Sequence, residues 1–363
     1  MKNGKKRDSK LRCWAMAQSY DFWIDISNTP QVHVARALIK SLREYSFYIT
    51  AFKRGEVEEL MREFGINGKV FGEDKYNPTL KGMSLAFRTF NLLLKSPKAK
   101  FLLSFGSTTP FLATKIKKIK SVILTDNELK FYQKGIFQSL ENILVKRFCD
   151  FVIVPKVCEE EFRKFFKDKE IYTYNGYKEH IYISNYEPDM NFTSILPFRE
   201  YVVLRPESLT SHYVLHRESI VPKLVELLTK NGVNVVYLPR NNEERDIIGD
   251  LKKEVYIPPK ALNGLDLCYF SKATLTGSGT MAREAALLGV PAISFFPGKR
   301  LLSVDRSLAE TGRIFHSRDP KEIVEYVLDN WNKRKEPDFE RAKKVKKEVV
   351  AKIKEVIDDH REN

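Results

Sequence analysis

The sequence predicts an α/β protein built of two domains whose parallel sheets face each other across a cleft. Three observations carry this reading. Apolar runs of strand length alternate with helical patterns along the chain. The series lapses near residues 181–198 and then resumes. The length of 363 residues is large for one core, while 43% apolar and 12% aromatic residues can fill two.

The first nineteen residues carry Lys2, Lys5, Lys6, Arg7, Lys10 and Arg12 against Asp8. No apolar segment follows them, so they do not read as a secretory signal. They are expected to form a disordered basic leader or a misplaced start, with Met16 just before the first strand. A first domain spans residues 20–180. It opens with the strand "YDFWIDIS" and the turn "NTPQ". The helix "VHVARALIKSLREY" then places Val34, Ala37, Leu38, Leu42 and Tyr45 on one face. The strands "SFYITAFK", "FLLSFG", "SVILTD" and "DFVIVP" follow, with helices in "STTPFLATKIKK" and "KVCEEEFRKFF".

Periodicity lapses over residues 181–198, where aromatic and polar residues, Pro188 and Pro197 gather. This stretch reads as the interdomain linker. A second domain over residues 199–332 resumes with "YVVLRP", a helix around "VPKLVELLTKNG", "VNVVYLPR", a helix around "ERDIIGDLKK", the strand "VYIPP", the helix "LNGLDLCYFSK" and the strand "ATLT". Residues 333–363 form a Lys-rich amphipathic helix.

The net charge of +15 favours anionic partners: phosphates, an acidic membrane face or nucleic acid. Cys13, Cys149, Cys158 and Cys268 have neither C-x-x-C spacing nor a nearby histidine at metal spacing, so no disulfide framework or zinc site is expected. His212 and His216 are spaced i, i+4 without a second pair and read as surface residues. No apolar run reaches the roughly 20 residues of a membrane span. These features fit a protein of the reducing cytoplasm.

The segment "LTGSGTMAREAALLGVPAISF", Leu275–Phe295, is the most informative. A strand runs into Gly277-Ser278-Gly279, and Thr280 opens a helix that stops at Gly289. Free amides at the helix start suit a phosphate or diphosphate. Glu284 lies one turn on, on the same face, where a carboxylate can accept the two hydroxyls of a ribose. As a dinucleotide fingerprint the segment lacks an acid after the next strand, which offers Lys299 and Arg300. As a nucleophile elbow it has threonine at 276 and 280 where glycine is required, although Asp305 and His316 follow in hydrolase order. A nucleotide-diphosphate cradle and a plain glycine turn remain.

This segment, together with "DISNTPQVHVARALI", "SFGSTTPFLA", "VILTDNE", "YNGYKEHIYI" and "VVLRPES", resembles the archaeal family known as domain of unknown function 354. That family is similar to non-hydrolysing UDP-N-acetylglucosamine 2-epimerases and to glycosyltransferases of the two-Rossmann GT-B fold. The resemblance implies a nucleotide-sugar site in the cleft, with Gly277, Ser278, Gly279 and Thr280 on the diphosphate and Glu284 on the ribose. It also implies that the last helix crosses back onto the first domain.

The remaining candidates sit at the carboxyl ends of strands, where ligands bind in open α/β sheets. His33 lies in the first turn of its helix beside "SNTP", as a substrate contact, a general base or a structural group. Asn28 and Thr29 form an acceptor-side loop in which Asn28 can cap the helix. Asp126 and Glu128 follow "SVILTD" and offer a base for an acceptor hydroxyl. Ser107 and Thr108 line a polar loop after Gly106. Arg205 and Arg240 leave successive strands of the second domain as diphosphate clamps or ion-pair partners.

Of the three acid–base groups of the epimerases, aligned strand ends place Ser107 and Leu204 where two belong and Asp126 at the third. Glycosyl transfer needs fewer groups, so the expected activity is a metal- and cofactor-independent transfer from a UDP sugar. The acceptor is unknown, with a lipid-linked one at an anionic inner membrane face as one option. An epimerase-like enzyme and a non-catalytic nucleic-acid binder are the alternatives.

Overall fold

The computed structural model describes residues 19–75, 78–133, 135–207 and 218–360. The basic leader, His212 and His216 lie outside the described residues. The first sheet contains β1 (Ser19–Ile26), β2 (Phe47–Lys53), β3 (Lys69–Glu73), β4 (Lys98–Ser104), β5 (Lys120–Leu124), β6 (Phe151–Pro155) and β7 (Glu170–Tyr174). Its helices are α1 (Thr29–Ser41), α2 (Val57–Glu63), α3 (Pro78–Lys95), α4 (Phe111–Lys117), α5 (Ile136–Phe148) and α6 (Glu159–Phe165), and α7 (His180–Ile183) follows β7. All its strand pairs are parallel, in the order β3-β2-β1-β4-β5-β6-β7. At the centre Ile24 of β1 lies level with Ile49 of β2 and Leu103 of β4. Trp23, Ile24, Ile26, Leu102 and Leu103 are fully buried, as strands covered on both faces by crossover helices require.

The second sheet holds β8 (Val202–Arg205), β9 (Val235–Tyr237), β10 (Ala273–Thr276), β11 (Ala292–Ser294) and β12 (Ile314–His316). Its helices are α8 (Val221–Lys230), α9 (Asn242–Asp246), α10 (Gly264–Phe270), α11 (Gly279–Leu287), α12 (Ser303–Glu310) and α13 (Pro320–Asp329), and α14 (Phe339–Asp358) ends the chain. The order is β12-β11-β10-β8-β9, again parallel throughout. Each sheet thus has one point where the strand order reverses: between β1 and β4 in the first, between β8 and β10 in the second. The protein is α/β with two Rossmann-like sheets, as the alternation of elements predicts.

Three stretches differ from the sequence expectation. "VYIPP" makes only a single bridge, Tyr256 to Val236, because Pro258 and Pro259 cannot donate to a ladder. The chain between β2 and β4, where the alternation gives no assignment, folds as α2, β3 and α3. Within residues 181–198 the apparent linker is packed: Ile181, Tyr182, Ile183 and Phe192 are buried, and α7 lies against both α1 and α14. α14 buries Ala342, Val345, Val349 and Ile353 and packs on α7 and β7 of the first sheet.

Candidate functional site

The two reversal points face each other, and the loops that leave them carry most of the sequence candidates. On the first sheet, Asn28 caps α1 by accepting from the Gln31 amide at 3.3 Å. The Gln31 side chain accepts from Ser27 N at 2.6 Å and donates to Phe105 O at 2.7 Å, tying the β1 and β4 loops together across the reversal. Thr29 starts the helix beside this tie. Ser107 and Thr108 are buried. The Ser107 hydroxyl accepts from Arg88 of α3, whose guanidinium also pairs with the buried Asp25 at 2.8 Å and reaches Thr109. The β4 loop is therefore anchored from behind by a buried ion pair.

On the second sheet, Gly277 donates its amide to Arg205 O at 3.1 Å, and the Ser278 amide is taken by the Thr276 hydroxyl at 2.8 Å. A Cβ at Gly277 would lie 2.4 Å from Cα of Glu207, and one at Gly279 would lie 2.7 Å from Nη1 of Arg283. The glycines thus make room for the chain's own β8 loop and for a buried arginine, a use the ligand-approach reading of the sequence did not include. Ser278, Gly279 and Thr280 stay partly exposed. The first-turn amides of α11, having no acceptor within the helix, point out of its N-terminus.

Glu284 accepts a hydrogen bond from Tyr182 OH at 2.6 Å. Burial raises its carboxyl to about 7, with Glu179 adding to the rise and Tyr182, Arg205 and Arg283 opposing it. Tyr182, from the "YNGYKEHIYI" segment, also meets the His33 ring, with centroids 5.4 Å apart. His33 is held at about 4, first by burial and then by Arg36, so its imidazole is neutral at neutral pH. One tyrosine therefore bridges the candidate base of the first domain and the candidate ribose ligand of the second.

Arg205 is half-buried beside Glu284, and its Nε has no hydrogen-bond partner. Burial, then the charge of Arg240, lower its pKa. Arg240 is tied to Glu244 at 2.7 Å and Pro206 O at 2.9 Å. Its ion pair makes it a support for the β8 loop, and of these two arginines Arg205 is the one with an uncommitted donor.

Asp126 and Glu128 are placed differently from an open catalytic pair. Asp126 pairs with Lys178 at 2.5 Å and lies 3.6 Å from Arg283. Burial would raise its pKa, but Lys178 and Arg283 outweigh this and lower it. Arg283 also pairs with Glu179 at 2.9 Å and Asp305 at 2.7 Å. Glu128 accepts from the Ser303 amide at 2.5 Å, at the start of α12, and burial raises its pKa. Both carboxylates reach across to the second domain, Asp126 through Arg283 and Glu128 at the start of α12.

Arg283, Lys178 and Tyr182 are central here, yet the sequence reading did not single them out. The signal was present: Arg283 stands next to Glu284, and Lys178 and Tyr182 fall inside a quoted motif. Among the described residues no group of three His, Cys, Asp or Glu side chains could hold a metal ion, and no helix is long and apolar enough to cross a membrane.

The chain is similar to proteins solved as sugar-nucleotide enzymes. A UDP-GlcNAc 2-epimerase of Methanocaldococcus jannaschii, crystallised with UDP-GlcNAc and UDP, superposes with a TM-score of 0.67 at 16% identity, covering 93% of this chain and 99% of that one. The UDP-N-acetylglucosamine 2-epimerase of Rickettsia bellii gives a TM-score of 0.67 at 14% identity, covering 93% and 97%. HepE of Anabaena, solved with UDP and glucose, gives 0.62 at 14%, covering 93% and 99%. These likenesses establish the GT-B-type two-domain fold. In sequence, the uncharacterized protein MJ0665 of Methanocaldococcus jannaschii is 30% identical over 330 residues, 86% of this chain and 92% of that protein. Residues 20–355 match the family described as protein of unknown function (DUF354), and the chain belongs to that family.

Proposed function

We propose that the protein binds a nucleotide sugar, first of all a UDP sugar, between its two sheets and transfers the sugar to an acceptor. One observation carries the reading: the α11 N-terminus, Arg205 and Glu284 converge at the reversal point of the second sheet, opposite His33. The helix amides and Arg205 suit a departing diphosphate, and Glu284 suits the ribose diol. The bond from the anomeric carbon to the diphosphate oxygen breaks as the bond to the acceptor oxygen forms. The acceptor's proton passes to the neutral His33 imidazole, whose basicity a nearby diphosphate would increase. Asp126 and Glu128, committed to the interdomain contacts, orient rather than abstract.

The solved epimerases keep the epimerase alternative in view, and two residues weigh against it. Ser107 is engaged by Arg88 and Leu204 is fully buried and apolar, so neither supplies a base on a second face of the sugar. Calorimetric titration with UDP, GDP and their sugars tests the proposal. UDP is expected to bind, more tightly as pH rises through about 7 and Glu284 ionises. Glu284→Ala should weaken it by about 10- to 100-fold. Absence of binding by any nucleotide at millimolar concentration, or steeply salt-dependent nucleic-acid binding that survives Glu284→Ala, would refute the proposal. Inversion at C2 of UDP-GlcNAc without an acceptor would replace transfer by epimerisation.

A further inference from the structure

Tyr182 enters the cleft from α7, in the connection between the two sheets. Its side chain is buried, and α7 packs against α1 and α14. The His33 ring lies against the tyrosine ring, and His33 is itself backed by Phe64 with centroids 5.2 Å apart. The direction of the phenol is therefore fixed by the first domain and the last helix. Its hydroxyl donates to Oε1 of Glu284 at 2.6 Å, across 102 residues of chain.

The phenol serves this bond as a neutral donor. Burial first, then the charges of Glu284 and Glu179, keep its ionisation far above the ordinary tyrosine range, with Arg283 opposing them. A buried donor this close favours the ionised form of the carboxyl it meets, and Tyr182 is the foremost of the groups that oppose the rise at Glu284. The other groups facing Glu284 come from four places. Glu179, ahead of α7, adds to the rise, while Arg205 of β8 and Arg283 of α11 oppose it. Cys268 of α10 has its thiol raised first by burial and then by this carboxylate. A carboxylate offers about four acceptor directions, so the bond from Tyr182 to Oε1 leaves enough for both hydroxyls of a ribose.

We infer that Tyr182 is a positioning residue for the donor nucleotide: its hydroxyl holds the Glu284 carboxylate in the orientation that takes a ribose diol, so the ribose site is complete only while α7 is seated against the second domain. This rests on the proposed binding of a nucleotide sugar with Glu284 on the ribose. It adds that recognition of the ribose depends on how the domains are arranged, whereas the grip of the α11 amides on the diphosphate does not.

Calorimetric titration of the full chain with UDP and with 2′,3′-dideoxyuridine diphosphate, from about pH 5.5 to about pH 9, tests this. Both carry the same diphosphate, so the ratio of their dissociation constants reports the ribose alone. In the parent the preference for UDP should rise as pH passes through about 7 and Glu284 ionises. In Tyr182→Phe the rise should move up by about one pH unit, and the preference near neutral pH should fall by about 5- to 10-fold. The dideoxy nucleotide should bind this variant as it binds the parent. Replacing Tyr182 by 3-fluorotyrosine, a stronger donor on the same ring, should move the rise to lower pH and covers the case of a misfolded phenylalanine variant. A rise that stays in place in both variants overturns the inference, as does a loss in Tyr182→Phe shared equally by the dideoxy nucleotide. A parent that binds UDP no better than the dideoxy nucleotide at any pH overturns the reading of Glu284 as the ribose ligand, and this inference with it.

Discussion

Two half-buried groups joined by one tyrosine have opposite proton linkages. Glu284 is raised to about 7, so the stability it supplies is complete below its unfolded value and is lost as pH rises through about 7. His33 is lowered to about 4, so its imidazole costs stability as pH falls from its unfolded value of 6.5 through about 4. The windows overlap and the slopes oppose, which flattens the profile of the intact protein. Single substitutions separate them. Relative to the parent, Glu284→Gln should gain a few degrees of melting temperature as pH rises from about 4.5 to about 7. His33→Asn should gain as pH falls from about 6.5 to about 4. Melting curves at closely spaced pH values check both, and a difference curve of the reverse sign for either variant rejects the assigned linkage.

The loop between β10 and α11 is shaped by its own neighbours as much as for a ligand. A Cβ at Gly277 would press on backbone atoms of Glu207, which cannot swing aside, and Glu207 accepts from Ser219 Oγ at 2.9 Å and Ile220 N at 3.2 Å ahead of α8. Gly277→Ala is therefore expected to cost about 1–3 kcal/mol in chemical denaturation. Gly279→Ala meets the Arg283 guanidinium, which its ion pairs with Glu179 and Asp305 hold in place, so it too should destabilise the protein. A neutral effect at either position would contradict this account. The sequence made the loop's existence, the helix start and the stop at Gly289 legible, because glycine spacing and apolar periodicity are local signals. It did not reveal what fills the space beside the glycines, since Glu179 is 104 residues from its partner Arg283. α3 escaped notice for a related reason: it is apolar on its buried and its exposed sides alike, and so lacks the polar face that marks a surface helix.

Arg283 joins the two sheets through buried ion pairs. It is 3% exposed and meets Asp126 from the first sheet, Glu179 ahead of α7, and Asp305 of α12, while Lys178 supplies a second cation to Asp126. Three carboxylates against two cations leave the cluster one positive charge short of balance, so it tolerates the loss of an acid better than the loss of a base. Removing Arg283 strands buried carboxylates, a loss that ordinarily costs about 3–5 kcal/mol. Arg283→Met, which keeps much of the volume, should therefore destabilise the protein by that amount and let the domains separate, raising the radius of gyration in small-angle scattering. Adding Glu179→Gln and Asp305→Asn to Arg283→Met removes two of the stranded charges and should recover a large part of the lost stability. Because the cluster is out of water, molar salt should leave the parent's scattering profile unchanged. Failure of the triple variant to recover stability, or opening of the parent in salt, would show that apolar packing through α7 and α14, not this charge cluster, sets the domain arrangement.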